Sequence, residues 1–288
     1  MSRTVYVNGL YVPEEEAKVS VFDRAFLFGD AVYEVTAVLG GRLVDFEAHL
    51  ERLDRSLREI ALAAPLSHEA LLALHVELVR RNAIDEGIVY LEITRGAAER
   101  DFAYPDTAVP GVVAFTQNRP LVVHPYAETG VKVITIPDLR WKRRDIKSTS
   151  MLAQAMGKQD AKLNGAYEGW MVENGLVTEG TSSTAFILDD KGVIRTQPLG
   201  HHILPGVTRR AVLRLAALEA LDLEERPFSV AEALSAREAF MTAASAFVLP
   251  IVEIDGIPIG DGRPGPVARR FRDLYIEEAR NSSVGASS

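Results

Sequence analysis

The stretch AVYEVTAVLGGRLVDFEAHLERLDRSLREI, residues 31–60, constrains the fold most because its apolar period changes partway. Before Phe46, β-branched and aromatic residues flank Gly40-Gly41, which reads as a hairpin. From Phe46 onward, Phe46, Leu50, Leu53, Leu57 and Ile60 recur at three-four spacing, which predicts a helix over about 45–63. A hairpin that runs into an amphipathic helix calls for a sheet with helices packed on it. The rest of the chain repeats that theme. TVYVNGLYV turns at Asn8-Gly9, a type I′ hairpin signal. Ser67 is placed to cap a helix over about 68–82, followed by strands GIVYLEITRG and GVVAFTQ. Beyond NRPLVVHPYAETG come the strand VKVITIP, a helix at about 150–164, strands GWMV and TAFILDD, a helix over about 207–221, strands EAFMTAA and PIVEID, and a last helix from about 265 to 280, with Pro266 in its first turn. Hairpins outnumber βαβ units, so the expected class is mixed α/β. There is no internal repeat and no low-complexity tract.

Two prolines and no helical period mark 118–130 as a connection between two domains. The expected division is a small N-terminal α/β domain over 1–117, a linker over 118–123, a larger C-terminal domain over 124–283 and a loose tail over 284–288. A length of 288 residues suits two units of ordinary size. The chain has no cysteine, so disulfides and thiolate metal sites are ruled out and a reducing interior is the natural setting. A net charge of −8 argues against nucleic acid as the main partner. No 18-residue apolar run suggests a membrane span, and the start MSRTVYVNGLYV reads as strand rather than signal peptide. A cytoplasmic location is expected.

Four segments carry residues suited to chemistry. In WKRRDIKSTSML, Lys147 follows Lys142, Arg143 and Arg144 and precedes a helix that Thr149 or Ser150 can cap. An ordinary lysine is a solvated surface charge. Like charges and a helix N-terminus disfavour an ammonium, however, and a neutral amine is what Schiff-base chemistry needs. Both readings stand on the residues alone. In VTEGTSSTAF, Glu179 is either a solvated turn residue or a placed carboxylate. In ILPGVTRRAV, Gly206 precedes a helix whose first N–H groups, those of Val207 and Thr208, suit a phosphate. In HLERL, Arg52 lies in the first long helix, where a solvated face is the usual fate of arginine. His124, His201 and His202 read as loop residues with no metal-ligand spacing.

In the order DRAFLFGDAVYEV, HLERL, RRDIKS, VTEGTSSTAF, LPGVTR, these segments resemble the class IV pyridoxal-phosphate aminotransferases, over about residues 3–280. The resemblance implies a two-domain fold of type IV, with a pseudo-barrel sheet in the larger domain, and pyridoxal 5′-phosphate as cofactor. It implies that Lys147 holds the cofactor aldehyde as a Schiff base and shuttles the substrate proton. By the same likeness Glu179 sits by the pyridine nitrogen. Arg52, Val207, Thr208 and the backbone near Ala244 take the phosphate, and Ser182 and Ser183 line the other side. The likeness is nearest to members that move amino groups between D-amino acids, such as D-alanine and D-glutamate, and 2-oxo acids, in a ping-pong cycle through pyridoxamine phosphate. Tyr33 and Arg100 would hold the substrate carboxylate, with Arg95 and Arg24 as further candidates, while Phe102 stands where that group of enzymes has histidine. Branched-chain aminotransferases carry Tyr-x-Arg where this chain has Tyr90-Leu91-Glu92, and a glutamate there repels a carboxylate. Aminodeoxychorismate lyase and (R)-amine transaminase compete with these two activities on the same fold. Amino acids and 2-oxo acids are the expected partners, within a homodimer.

Overall fold

A computed structural model describes residues 2–285. The described residues form two compact units, one within Met1–Leu121, Ile146–Ser150 and Ala279–Ser288, the other within Val122–Asp145 and Met151–Glu278. The segment around Lys147, expected with the C-terminal domain, therefore belongs by its contacts to the first unit. Val284 pairs with Leu43, so the expected loose tail is bound at its first residue. Residues 286–288 of that tail lie outside the described residues.

The first unit contains β1 (Thr4–Val7), β2 (Leu10–Pro13), α1 (Arg24–Phe28), β3 (Ala31–Leu39), β4 (Arg42–Leu43), α2 (Phe46–Glu59), α3 (His68–Arg81), β5 (Glu86–Thr94) and β6 (Gly111–Asn118). Its sheet runs β2-β1-β6-β5-β3-β4. The two predicted turns are present, with positive φ at Asn8, Gly9, Gly40 and Gly41. Ser67 caps α3 by accepting from the Ala70 N–H. The helix α2 stops at Glu59, short of the predicted end, because Ala61 turns left-handed at φ 50°. Period two sorts β3 and β5 into faces. Val32, Val89, Leu91 and Ile93 are buried in one core with Leu50, Leu53 and Leu57 of α2 and Leu74 and Leu78 of α3. Truncating a leucine in such a core to alanine costs about 2–5 kcal/mol. The opposite face carries Tyr33, Val35, Tyr90, Glu92, Val113 and Phe115, all half-buried.

The second unit contains β7 (Val131–Pro137), α4 (Leu152–Leu163), β8 (Glu168–Glu173), β9 (Leu176–Gly180), β10 (Thr184–Leu188), β11 (Ile194–Thr196), α5 (Val207–Leu218), β12 (Leu223–Glu225), α6 (Val230–Leu234), β13 (Glu238–Ala243), β14 (Phe247–Ile254), β15 (Ile257–Pro258) and all but the last turn of α7 (Pro266–Ser282), whose residues from Ala279 on count with the first unit. Its nine-stranded sheet runs β12-β11-β10-β13-β14-β7-β8-β9, with β15 on β14. Parallel pairs (β14 with β7, β7 with β8) lie among antiparallel ones, the mixed α/β class expected. Phe186 of β10 stacks on Phe240 of β13 at 4.9 Å, and Phe271 of α7 leans on Phe240 at 5.8 Å. Glu238 accepts from the Val267 and Ala268 N–H groups at 3.1 and 3.0 Å and so closes the start of α7, which Pro266 opens as predicted.

Candidate active site

Lys147 lies in an extended segment, not at a helix start. Its carbonyl accepts from the Tyr33 N–H at 2.9 Å, Ser148 bridges Val32, and the Thr149 N–H donates to the Ala31 carbonyl at 3.1 Å. The lysine segment thus pairs with the beginning of β3. Its Nζ rests over the Tyr33 ring, 4.1 Å from the centroid. The expected cap by Thr149 or Ser150 is not formed. The helix α4 starts at Leu152 after Met151, with no side-chain cap, and the Thr149 hydroxyl donates to the Gly29 carbonyl instead. Gly29 is required there: its φ is 67°, and a Cβ would stand 2.5 Å from Ser150 Oγ. The expected crowd of free cations before Lys147 is instead a set of ion pairs. Lys142 and Arg144 hold Glu173 at 2.7 and 2.8 Å, and Arg143 holds Asp145 at 3.1 Å. Those bonds from Arg144 and Lys142 pull the Glu173 carboxyl down to about 2.

Behind the lysine segment, α2 turns three polar residues inward among its apolar ones. Arg52 grips Glu34 with Nε and Nη2 at 2.8 and 2.7 Å, and His49 Nδ1 lies 2.7 Å from the same carboxylate. Ser56 Oγ accepts from the Lys147 N–H at 3.4 Å. Burial opposes the charge on Glu34, but the Arg52 guanidinium and His49 outweigh it and hold its carboxyl well below the usual carboxylate range. Sequence reasoning missed Glu34 and His49. The available signal was polar His49, Arg52 and Ser56 at helical spacing beside the apolar stripe of α2.

The three arginine candidates differ. Arg24 and Arg95 both bond Asp30 through Nε at 2.8 Å. The rest of Arg24 donates to the Asp101 and Phe102 carbonyls, and the rest of Arg95 to those of Ile60 and Ala61. Arg100 is exposed and makes only ring contacts, 5.3 Å from Phe28 and 5.6 Å from Phe102, with no ion pair among the described residues. It is the uncommitted guanidinium of the three.

In the second unit, Glu179 is the last residue but one of β9 and is 5% exposed. Arg140 Nη1 donates to its Oε1, and the Leu204 N–H donates to Oε2 at 3.2 Å. Arg140 is itself fixed by Asp138, through Nε at 2.9 Å and Nη2 at 2.6 Å, and the Thr178 hydroxyl donates to the same Asp138 at 2.7 Å. Burial pushes the Glu179 carboxyl up, against the Arg140 guanidinium and the Leu204 N–H. The short turn after β9 wraps the wholly buried Glu168, whose carboxylate accepts from the Thr181 hydroxyl, the Ser182 N–H and hydroxyl, and the Ser183 hydroxyl. Ser182 and Ser183 are thereby held in place by an acid that no sequence motif singles out. Arg140 and Asp138 escaped sequence reasoning as well, since a basic residue two places from an acidic one is common in loops.

The α5 start fits a phosphate. Gly206 is its N-cap residue without a side-chain cap, so the first N–H groups are open in the way an anion needs. Among the described residues, the buried hydroxyls of Thr208 and of Thr242, two places before Ala244, have no hydrogen-bond partner. An unpartnered buried hydroxyl costs stability unless a ligand satisfies it.

The first unit offers a lysine amine over an aromatic ring, and the second offers a buried carboxylate and an open helix start. The family described as amino-transferase class IV matches residues 31–254. D-alanine aminotransferase of Staphylococcus aureus (strain MSSA476) is 37% identical over 283 residues, 97% of this chain and 99% of the relative. That of Bacillus licheniformis is 39% identical over 270 residues, 93% and 94% of the two chains. Among solved structures, the T.th. branched-chain amino acid aminotransferase with pyridoxamine 5′-phosphate superposes with a TM-score of 0.90 at 25% identity, covering 100% of this chain and 99% of that one. The branched-chain aminotransferase of Thermoproteus uzoniensis with norvaline gives 0.87 at 27% identity, covering 98% and 96%. The chain belongs to the class IV aminotransferases, enzymes that work with pyridoxal phosphate.

Proposed function

We propose that the chain moves the amino group of a D-amino acid, with D-alanine as donor, to a 2-oxo acid. The observation that carries this reading is the full-length likeness to enzymes named D-alanine aminotransferase. The lysine amine held over Tyr33 supports it. Pyridoxal phosphate, when bound, supplies the aldehyde that accepts the amino group and a ring that takes up the electron pair released at Cα. Lys147 would be the amine that holds that aldehyde and, when free of it, the base placed to take the Cα proton. Glu179 would stand by the ring nitrogen, where its charge favours the protonated form. The N–H groups of Val207 and Thr208, the Thr208 hydroxyl and the backbone near Ala244 take the phosphate, with Arg52 as the cation. Ser182 and Ser183, fixed by Glu168, line the cofactor. Arg100 and the Tyr33 hydroxyl take the substrate carboxylate, a role for which Arg24 and Arg95 are already committed to Asp30 and to backbone carbonyls.

A homodimer in the cytoplasm belongs to the same proposal. Phe22, Phe26, Phe102 and Tyr104 of the first unit are more than half exposed, which suits burial against a second copy. The cysteine-free composition suits a reducing compartment. Among the described residues no helix is long and apolar enough to cross a membrane. The test is amino exchange between D-alanine and a 2-oxo acid, followed by borohydride reduction and peptide mapping. The expected adduct is on Lys147; an adduct on another residue, or exchange with L-alanine alone, overturns the reading.

A further inference from the structure

The cage around Glu179 has an outer layer that the proposed transfer leaves without a role. Strands β7 and β8 run parallel with Pro137 opposite Val172, so Asp138 and Glu173 come level at the two strand ends. Arg144 stands between them: its Nη1 lies 3.1 Å from Asp138 Oδ2 and 2.8 Å from Glu173 Oε2. The side chains of Asp138 and Arg144 are 0% and 1% exposed. Arg144 reaches both contacts that hold Glu179. Its side chain pairs with the acid that fixes Arg140, and its N–H donates to the His201 carbonyl at 3.0 Å, in the loop whose Leu204 N–H meets Glu179. Among the described residues, the buried Arg144 Nε has no hydrogen-bond partner. A buried donor left open costs stability, so hydrogen bonding alone does not account for an arginine here, and its charge is what remains.

Glu179 and Asp138 are two buried acids, Arg140 and Arg144 two buried guanidiniums, and Arg140 touches both acids. Burial works against the Asp138 charge, yet Arg140, Thr178 and Arg144 hold its carboxyl below the usual range. Burial also pushes the Glu179 carboxyl up, and the Asp138 charge adds to that rise. Asp138 is therefore needed to fix Arg140 but opposes the charge on Glu179. A second guanidinium on Asp138 cancels that opposition and leaves the Arg140 charge for Glu179. The other charged groups nearby are paired, Lys142 with Glu173 and Arg143 with Asp145. We propose that Arg144 is a positioning residue for Glu179, which neutralises Asp138 so that Glu179 stands ionised beside Arg140. This rests on the reading of Glu179 as the acid by the cofactor ring and adds the residue that keeps it charged.

The test follows the protonated-carboxyl infrared band of Glu179 in the full chain, with and without pyridoxal phosphate, the band being assigned by its loss in Glu179→Gln. Arg144→Gln keeps an N–H donor for Asp138 and removes the charge. The carboxyl then holds its proton longer, so the pH at which the band appears should move up. The acidic limb of kcat/KM for D-alanine should move up with it. Arg144→Lys restores the cation and should return the band toward its wild-type pH. Glu173→Gln removes the outer acid and should leave the band in place or lower its pH. Asp138→Asn added to Arg144→Gln takes away the acid together with its cation, which keeps the test open where the single variant does not fold. In that double variant the band should appear at or below the wild-type pH. A band unmoved in Arg144→Gln, unrestored by Arg144→Lys, or raised in Glu173→Gln or the double variant overturns the proposal. A band that shifts as expected in a chain without D-alanine exchange counts against the transaminase reading alone.

Discussion

The lysine segment and the glutamate turn hold their reactive groups in opposite ways. The Lys147 backbone is tied to β3 by the 2.9 Å bond from the Tyr33 N–H, while among the described residues its amine has only the Tyr33 ring, 4.1 Å away. Glu179 is buried and gripped from two sides, by the Arg140 guanidinium and the Leu204 N–H, and Arg140 is in turn locked by Asp138. The difference follows from the work proposed for each. An amine that must bond, release and carry a proton gains from a fixed base and a free tip. A carboxylate that must present a standing charge gains from a rigid cage, because fixed dipoles need no rearrangement during the reaction.

Removing each group breaks one side of that contrast. Lys147→Ala should lower single-turnover transfer to the detection limit, since among the described residues no second amine lies over the Tyr33 ring; retained turnover would sink the assignment. Glu179→Ala should leave the cofactor bound, as seen by its absorbance, while slowing turnover by roughly ten- to a thousandfold, the range for losing one charge that acts on the transition state. An unchanged rate would remove Glu179 from the ring nitrogen.

Loosening the cage sharpens the contrast with a smaller effect. Burial raises Glu179, and Arg140 works against that rise. In Arg140→Met the carboxyl climbs further, so the charged form is reached only at higher pH. The acidic limb of the kcat/KM profile should therefore move to higher pH, with a loss that is largest on the acidic side and shrinks as the pH rises. Arg140→Lys restores the charge and should bring the limb part of the way back. A uniform loss at every pH would mean that Arg140 serves stability alone, as a partner whose removal leaves Asp138 and Glu179 buried without it.

Much of the scaffold was legible because it rests on periodicity and turn chemistry. Asn8-Gly9, Gly40-Gly41, Ser67 and Pro266 each mark an element boundary found in the structure. Short elements escaped: α1 and α6 have five residues and β11 and β12 three, too few to display a period. Lys147, Glu179, Thr208 and Arg52 were singled out as a set by their order along the chain, and the roles given to them are part of the proposal. Their supporting partners were not singled out. Arg140, Asp138 and Glu168 meet the β9 end only through strand pairing and loop closure, which no local pattern encodes. The run of Lys142, Arg143 and Arg144 misled for the same reason, since Glu173 lies about thirty residues on in sequence yet within an ion pair of two of them.

The smallest effect should come from the hold on the lysine backbone. Ser56 is fully buried, and its Oγ is 3.4 Å from the Lys147 N–H, long for a hydrogen bond. Ser56→Ala removes the acceptor and leaves that N–H without it, at a cost of about 1 kcal/mol, the low end for an unsatisfied buried donor. In a chain of this size that lowers Tm by about 2–4 °C. Turnover should change by less than about threefold, because the pairing of the Lys147 carbonyl with Tyr33 remains to aim the side chain. A loss comparable to that of Glu179→Ala would show instead that the lysine segment is held as tightly as the glutamate turn, with α2 as its clamp.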